Sequence, residues 1–335
     1  MINIRKEVSL LPYNTFGVPA TASMFVESDH ADELADFLKA LPHPSATVLL
    51  GSGSNTLFVS DRCGTVVRPV IKGIEVMEET DDHVLVRAGA GEIWDDFVYW
   101  CVEKNYAGVE NLSYIPGTVG ACPIQNIGAY GIEVKKTIET VEAIEINTGQ
   151  AVSFNNQQCR FDYRDSFFKN NKGKYLITNV QFKLSKRFEP KIIYADLKTE
   201  LFRNAHITIE TMRQSIISIR SRKLPDPEKL GNAGSFFKNP TIDAAKYKEI
   251  SQLHPQAPIY PIGMECWRIS AAWLIERSGW KGKQNGNVGT HKWHPLVVIN
   301  YGGANGKEIF DFAGKIIDSV IDGFGIRLEP EVNIV

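Results

Sequence analysis

The chain is short of paired cysteine, long apolar runs and excess charge of either sign, and each shortage removes a class of function. Its five cysteines (Cys63, Cys101, Cys122, Cys159 and Cys266) are scattered, odd in number and never in a Cys-x-x-Cys pair. That argues against a disulfide framework or a zinc site, and for small packing residues in a reducing cytoplasm. No apolar run approaches the length of a membrane span, and Met1–Glu7 has no apolar signal core, so membrane insertion and secretion are not expected. Lys and Arg number 37 against 39 Asp and Glu, a formal net charge of −2. With no basic excess to neutralise phosphates along a strand, nucleic acid is not an expected partner. There is no H-E-x-x-H and no His/Cys cluster, so no metal is expected. There is also no G-x-S-x-G elbow, no internal repeat and no low-complexity tract.

What is present is a chain of 335 residues, 43% hydrophobic and 23% charged, the balance of a globular protein of two or three domains. Short strands are expected over 22–27 and 46–50. Between them, Ser28 is placed to cap a helix whose face is Leu34, Phe37, Leu38 and Leu41. The strand 46–50 opens onto Gly51-Ser52-Gly53-Ser54-Asn55. That order is the start of a Rossmann fingerprint, but the third glycine is missing because position 56 is Thr, and a plain turn explains the glycines equally well.

A helix is expected from about Ile93 to Glu103 with Trp94, Phe97, Val98 and Cys101 inward, then a hairpin over 140–146 and 151–154, and a strand over 175–184. The proline-punctuated Lys223-Leu224-Pro225-Asp226-Pro227 is the candidate domain boundary. Beyond it the pattern reads helix 268–278, strand 296–300 and a helix with Ile309, Phe312, Ala313, Ile316, Ile317 and Val320 on one stripe. Gly302–Lys307 looks like a phosphate loop, but Glu308 stands where Ser or Thr is required, so a turn before a helix is expected.

Three segments carry candidate chemistry. Residues 115–131 form a long Gly/Pro/Asn stretch without periodicity, which low charge and apolar punctuation mark as an ordered loop around a ligand. Residues 231–240, GNAGSFFKNP, present Ser235 among small residues, where a serine is ordinarily a turn residue. Residues 327–332, RLEPEV, carry Glu329, ordinarily a surface carboxylate. Arg164, in the Tyr163-Arg164-Asp165-Ser166 run, is by itself readable as the partner of Asp162 or Asp165. Arg220, Arg222 and Lys223 form the sharpest basic cluster, suited to one diphosphate or to a solvated patch.

Taken together, these segments resemble those of the UDP-N-acetylenolpyruvoylglucosamine reductases, FAD enzymes of bacterial peptidoglycan precursor synthesis. The resemblance runs from Asn14-Thr15-Phe16-Gly17 to the final residues. It implies an α+β FAD-binding fold of the vanillyl-alcohol-oxidase (PCMH) type. Two FAD-binding lobes, 1–70 and 71–224, would be followed by a C-terminal α/β substrate-binding domain, 225–326, with 327–335 returning to the second lobe.

The resemblance further implies non-covalent FAD on Gly51, Ser52, Gly53, Ser54 and Asn55 and on Gly117, Gly120 and Gly128. It implies NADPH as hydride donor and UDP-N-acetylglucosamine enolpyruvate as substrate, with Ser235 as proton donor and Arg164 and Glu329 as the other catalytic groups. Glu329 would then be protonated, or bridged by water or a cation, to favour growing negative charge. Lys223, Asn239, Tyr194, Tyr130 and His294 carry over as substrate-binding residues, Tyr194 marking the subgroup whose tyrosine-bearing loop covers the substrate. Two rivals stand beside this: a flavin oxidase of the same superfamily acting on an alcohol or sugar, and a colourless sugar-nucleotide-binding protein.

Overall fold

The computed structural model describes residues 1–43, 46–202 and 206–335. They divide into two compact units: residues 1–8, 21–53 and 62–222 in the first, and 9–20, 54–61 and 223–335 in the second. Helices and mainly antiparallel sheets make each an α+β assembly.

Among its described residues the first unit holds two large sheets, besides the two-stranded pairing of Gly128–Ala129 with Ile132–Glu133. One has the order Asn3–Ser9, Thr21–Ser28, Arg62–Pro69, Val48–Leu49, with Arg62–Pro69 parallel to both of its neighbours. The helix Ala31–Ala40 buries Leu34 and Leu38 against Val26 and Val67. Ser28 is not its cap. It ends the preceding strand, and its hydroxyl accepts the His30 N–H at 3.1 Å and donates to Glu33 at 2.6 Å, while His30 holds the cap position with no side-chain capping bond among the described residues.

The second sheet is fully antiparallel in the order Gln150–Asn155, Ile138–Glu145, Tyr175–Ser185, His83–Gly89, Ile74–Glu79. Helix Trp94–Glu103 lies in the same core. Trp94, Phe97, Val98 and Cys101 are buried, and the Phe97 and Phe182 rings sit 4.7 Å apart. Helices Ala195–Leu201 and Ile209–Lys223 share a smaller core of Leu197, Leu201, Met212, Ile216 and Ile219, against which Tyr130 packs.

In the second unit, Cys266–Ile269 is a strand between Thr241–Asp243 and Ile259–Gly263, so the helix expected from residue 268 begins at Ala271. Its start is set by Ser270, whose hydroxyl accepts the Trp273 N–H. The strand Val298–Asn300 pairs with Val288–Thr290. The helix Gly306–Phe324 opens with a reciprocal capping box between Asn305 and Glu308 and stops at Gly325, whose φ of +64° is a left-handed cap. Glu308, the residue that breaks the phosphate-loop pattern, therefore starts a helix.

Residues 327–335 pack within the second unit, where Asn333–Ile334 pairs in parallel with Thr56–Leu57 and Val59 donates to Val335.

Candidate active site

In the first unit the two glycine loops meet. A Cβ added to Gly51 would lie 3.1 Å from Thr118 Oγ1, and Arg68 Nε donates to the Gly51 carbonyl at 3.3 Å. Residues 117–120 are strapped onto 90–94. The Gly120 N–H donates to Ala90 at 3.0 Å, the Val119 N–H to Glu92 at 2.9 Å, and the Trp94 N–H to Gly117 at 3.1 Å. Gly120 is demanded by closeness, since a Cβ there would come within 2.6 Å of Ala90 Cβ. Gly117, at φ +135°, occupies backbone space closed to most side chains. Ser52 lies in the same loop, and Ser54 and Asn55 fall in the second unit.

Arg164 reaches the far end of the second loop. Its Nη2 donates to the Gly128 carbonyl at 2.7 Å, and a Cβ on Gly128 would be 2.9 Å from its Nη1. The glycine thus lets a guanidinium lie on the backbone. Arg164 itself sits at φ +52°, an uncommon conformation for a side chain of that size. Asp162 and Asp165 are turned to local work: Asp162 accepts the Tyr163 N–H, and Asp165 accepts the Ser166 N–H and the Asn170 amide.

Tyr130 and Tyr194 pack edge to face with ring centroids 5.7 Å apart. Burial pushes the Tyr130 phenol up to about 12, with the Arg220 charge opposing the shift. The phenol is therefore a hydrogen-bond donor at any physiological pH. Burial lowers the Arg220 guanidinium from its ordinary value, and the like charge of Arg164 adds to that. Arg220 donates Nε to the Tyr114 carbonyl at 3.1 Å, and the Asp95 carboxylate partly offsets the lowering. Arg222, two positions on, ion-pairs with Glu200 at 2.6 Å.

In the second unit the 231–240 segment lies beside two others. Ser235 bridges Val297 on one side, with Phe236 N–H donating to Leu296 at 2.7 Å. On the other side Phe237 bridges Pro330, Lys238 N–H donates to Glu329 at 3.0 Å, and Glu331 N–H donates to Phe236 at 2.7 Å. Two of the three sequence motifs are therefore adjacent antiparallel segments. Phe236 and Phe237 are fully buried and hold the segment in place. The Ser235 hydroxyl makes no hydrogen bond among the described residues, although a turn serine ordinarily bonds nearby backbone.

The Lys238 ammonium stands 3.5 Å from the Glu329 carboxylate. Asn239 Oδ1 accepts the Ala271 N–H at 2.9 Å, which fixes the amide and leaves Nδ2 as a donor. His294 lies in the turn closed by the Val297 N–H to its carbonyl at 2.9 Å. Lys223 is exposed at the last residue of helix Ile209–Lys223.

Lys238 is not among the residues singled out from the sequence, and Arg220 is there only one of a basic cluster with Arg222 and Lys223. A signal existed for each: Lys238 is the one cation within GNAGSFFKNP, and helical spacing points Arg220 and Arg222 to different faces. Among the described residues no three His, Cys, Asp or Glu side chains gather as a metal site, and no helix is long and apolar enough to cross a membrane.

Residues 226–335 match the family profile described as the C-terminal domain of UDP-N-acetylenolpyruvoylglucosamine reductase, and residues 22–155 match one described as an FAD binding domain. The chain is 43% identical over 338 residues to the UDP-N-acetylenolpyruvoylglucosamine reductase of Amoebophilus asiaticus, with 100% of each chain covered. It is 42% identical to that of Bacteroides fragilis, covering 99% of this chain and 100% of the relative. The crystal structure of the corresponding reductase from Thermus caldophilus superposes with a TM-score of 0.70 at 22% identity, covering 100% and 99% of the two chains, which shows a common fold. End-to-end identity at this level, on a chain that carries both domain types, places it in one family: the chain belongs to the UDP-N-acetylenolpyruvoylglucosamine reductases.

Proposed function

We propose that the chain reduces UDP-N-acetylglucosamine enolpyruvate to UDP-N-acetylmuramate in cytoplasmic peptidoglycan precursor synthesis, with NADPH as electron source. Full-length kinship to reductases of that name carries the reading. The residues present suit FAD. Gly51 packs on Thr118 and Gly120 on Ala90, which holds the two glycine loops together as a cradle for a phosphorylated group. In this reading 1–70 and 71–224 are the two flavin lobes, and Gly51–Asn55, Gly117, Gly120 and Gly128 hold the cofactor. Bound there, FAD would supply the redox chemistry that links NADPH to the vinyl group of the substrate.

The side chains do the rest. Arg164 grips the enolpyruvyl carboxylate with its planar fork and draws off the charge that grows on the neighbouring carbon. Glu329, with the Lys238 cation beside it, orients the same carboxylate. Ser235 gives its proton to the carbon alpha to the carboxylate, a step open to a hydroxyl only because the acceptor is a strongly basic enolate. Tyr130, Tyr194, Lys223, Asn239 and His294 bind the UDP-sugar: Lys223, Asn239, Tyr194 and His294 as donors to the diphosphate, Tyr194 on the loop that covers the substrate, and Tyr130 beside it.

The first test is colour and its release. The protein is expected to be yellow, and heat or acid should move all flavin absorbance into the supernatant. Neither glycine loop contains a histidine. Cys122, the one cysteine in these loops, is buried, and burial raises its thiol well above the ordinary value, which leaves little thiolate to form a tether. Colour retained by the precipitate would mean a covalent link, and a colourless preparation would remove the flavin reading altogether.

Lys223→Ala should weaken UDP-sugar binding by roughly one to two orders of magnitude, the loss of one charge-assisted contact of about 1.5–3 kcal/mol. Turnover at saturation should change far less. An unaltered calorimetric titration would leave Lys223 as a helix-terminal cation only.

A further inference from the structure

We propose that Asn111 is a positioning residue that fastens the Tyr130 turn to the segment leading into Tyr194, so that both tyrosines hold one arrangement before a UDP-sugar arrives. The proposal rests on the reading of those tyrosines as substrate-binding residues.

Asn111 is wholly buried in the short turn Glu110–Leu112. That turn is a fixed anchor. The Trp94 indole N–H donates to Leu112 at 2.9 Å, the Ser113 hydroxyl donates to Glu110 at 2.6 Å, and the Glu110 carboxylate accepts the Gly108 N–H at 2.6 Å. From it the Asn111 amide donates to two carbonyls on segments remote from each other in sequence, Tyr130 at 3.1 Å and Lys191 at 3.0 Å. One side chain thus uses both its donors to join the two loops.

What it joins needs holding. Tyr130 and Gly131 form the two-residue turn between Gly128–Ala129 and Ile132–Glu133. Both have positive φ, +48° and +80°, as a type I′ turn demands. A tyrosine is poorly suited to that conformation and stays there only when its surroundings impose it. The surroundings are the 191–194 segment: a Cβ on Gly131 would come within 2.5 Å of Ile193 Cδ1, and the Tyr130 and Tyr194 rings touch edge to face.

The chemistry of the bridge argues against a packing role. Among the described residues Asn111 Oδ1 is buried without a hydrogen-bond partner. An orphaned acceptor destabilises a core, whereas leucine, of nearly the same size, would fill the space without it. What asparagine offers and leucine lacks is the pair of N–H donors.

The test compares Asn111→Leu, Asn111→Asp and Tyr194→Ala in the FAD-loaded protein. Calorimetric titration of the oxidised holoenzyme with the enolpyruvyl UDP-sugar should show about tenfold weaker binding for either Asn111 variant. Flavin content and the rate of flavin bleaching by NADPH should stay unchanged. Backbone amides of 188–194 should exchange with solvent at least tenfold faster than in the wild type, with those of 212–219 unaffected. Added to Tyr194→Ala, the Asn111→Leu change should cost less than a further twofold, because the two act through one arrangement.

Full additivity, or normal binding with normal exchange, would overturn the proposal. If Tyr194→Ala alone leaves binding intact, the tyrosine reading fails, and the exchange data still decide whether Asn111 fastens the loops. Should neither Asn111 variant fold, the wild-type holoenzyme labelled with 15N at asparagine side chains answers instead. Both Asn111 amide protons should exchange slowly, and rapid exchange of either would refute the bridge.

Discussion

Ser235→Ala is expected to slow reoxidation of the reduced flavin by the enolpyruvyl UDP-sugar by ~10²–10⁴-fold, the usual contribution of a positioned acid. FAD content and bleaching by NADPH should stay near normal, because the proton is needed only after hydride has left the flavin. The structure makes this a clean substitution. The Ser235 hydroxyl bonds to nothing among the described residues, and the segment is held by Phe236 and Phe237 and by the backbone bonds to Leu296, Glu329 and Glu331. Removing one oxygen leaves every one of those contacts in place. Anaerobic stopped-flow of the flavin band, one substrate at a time, separates the outcomes. A variant slow in both half-reactions would point to disturbed cofactor binding, and one normal in both would return Ser235 to a turn residue.

Arg164→Lys should follow with a loss of about 10- to 150-fold in the same half-reaction, the equivalent of one charge-assisted contact of about 1.5–3 kcal/mol. The charge is kept, so a purely electrostatic role would survive. The planar fork is lost, and with it both the grip on a carboxylate and the bond from Nη2 to Gly128. The effect should fall on both binding and the rate at saturating UDP-sugar, since Arg164 meets a carboxylate already charged in the substrate as well as the charge that grows on the neighbouring carbon. A near-normal rate with lysine would show that geometry at this position is unimportant.

Much of the secondary structure could be read from pattern. Helix Trp94–Glu103 and the hairpin across 147–149 carry strong periodicity, and their cores sit where the apolar residues repeat. Helix Ile209–Lys223 went unread although its buried Ile209, Met212, Ile216 and Ile219 recur at helical spacing, because Arg, Ser and Thr surround them. The Asn305-x-x-Glu308 start was hidden behind a failed phosphate-loop match, when the same glutamate is a capping-box residue.

The site divides differently. Its segments were legible one by one, since glycine loops and a lone serine leave local marks. Their pairing was not, because the register that puts Lys238 beside Glu329 is a long-range backbone relation with no local signal. Likewise, nothing short-range separates Arg220, desolvated near Tyr130, from Arg222, paired at the surface.

The pairing of Asn333–Ile334 with Thr56–Leu57 has a consequence for synthesis. The carbonyl of Asn55 waits for a partner 278 positions further along, and the strand beside it stays unpaired for the same interval. On the ribosome this stretch of a proposed cofactor loop emerges early and is completed late. Until then it presents an open strand edge to chaperones, proteases and other nascent chains. Closing such a distant contact is also a slow step, so this corner of the molecule should be among the last to acquire its native form.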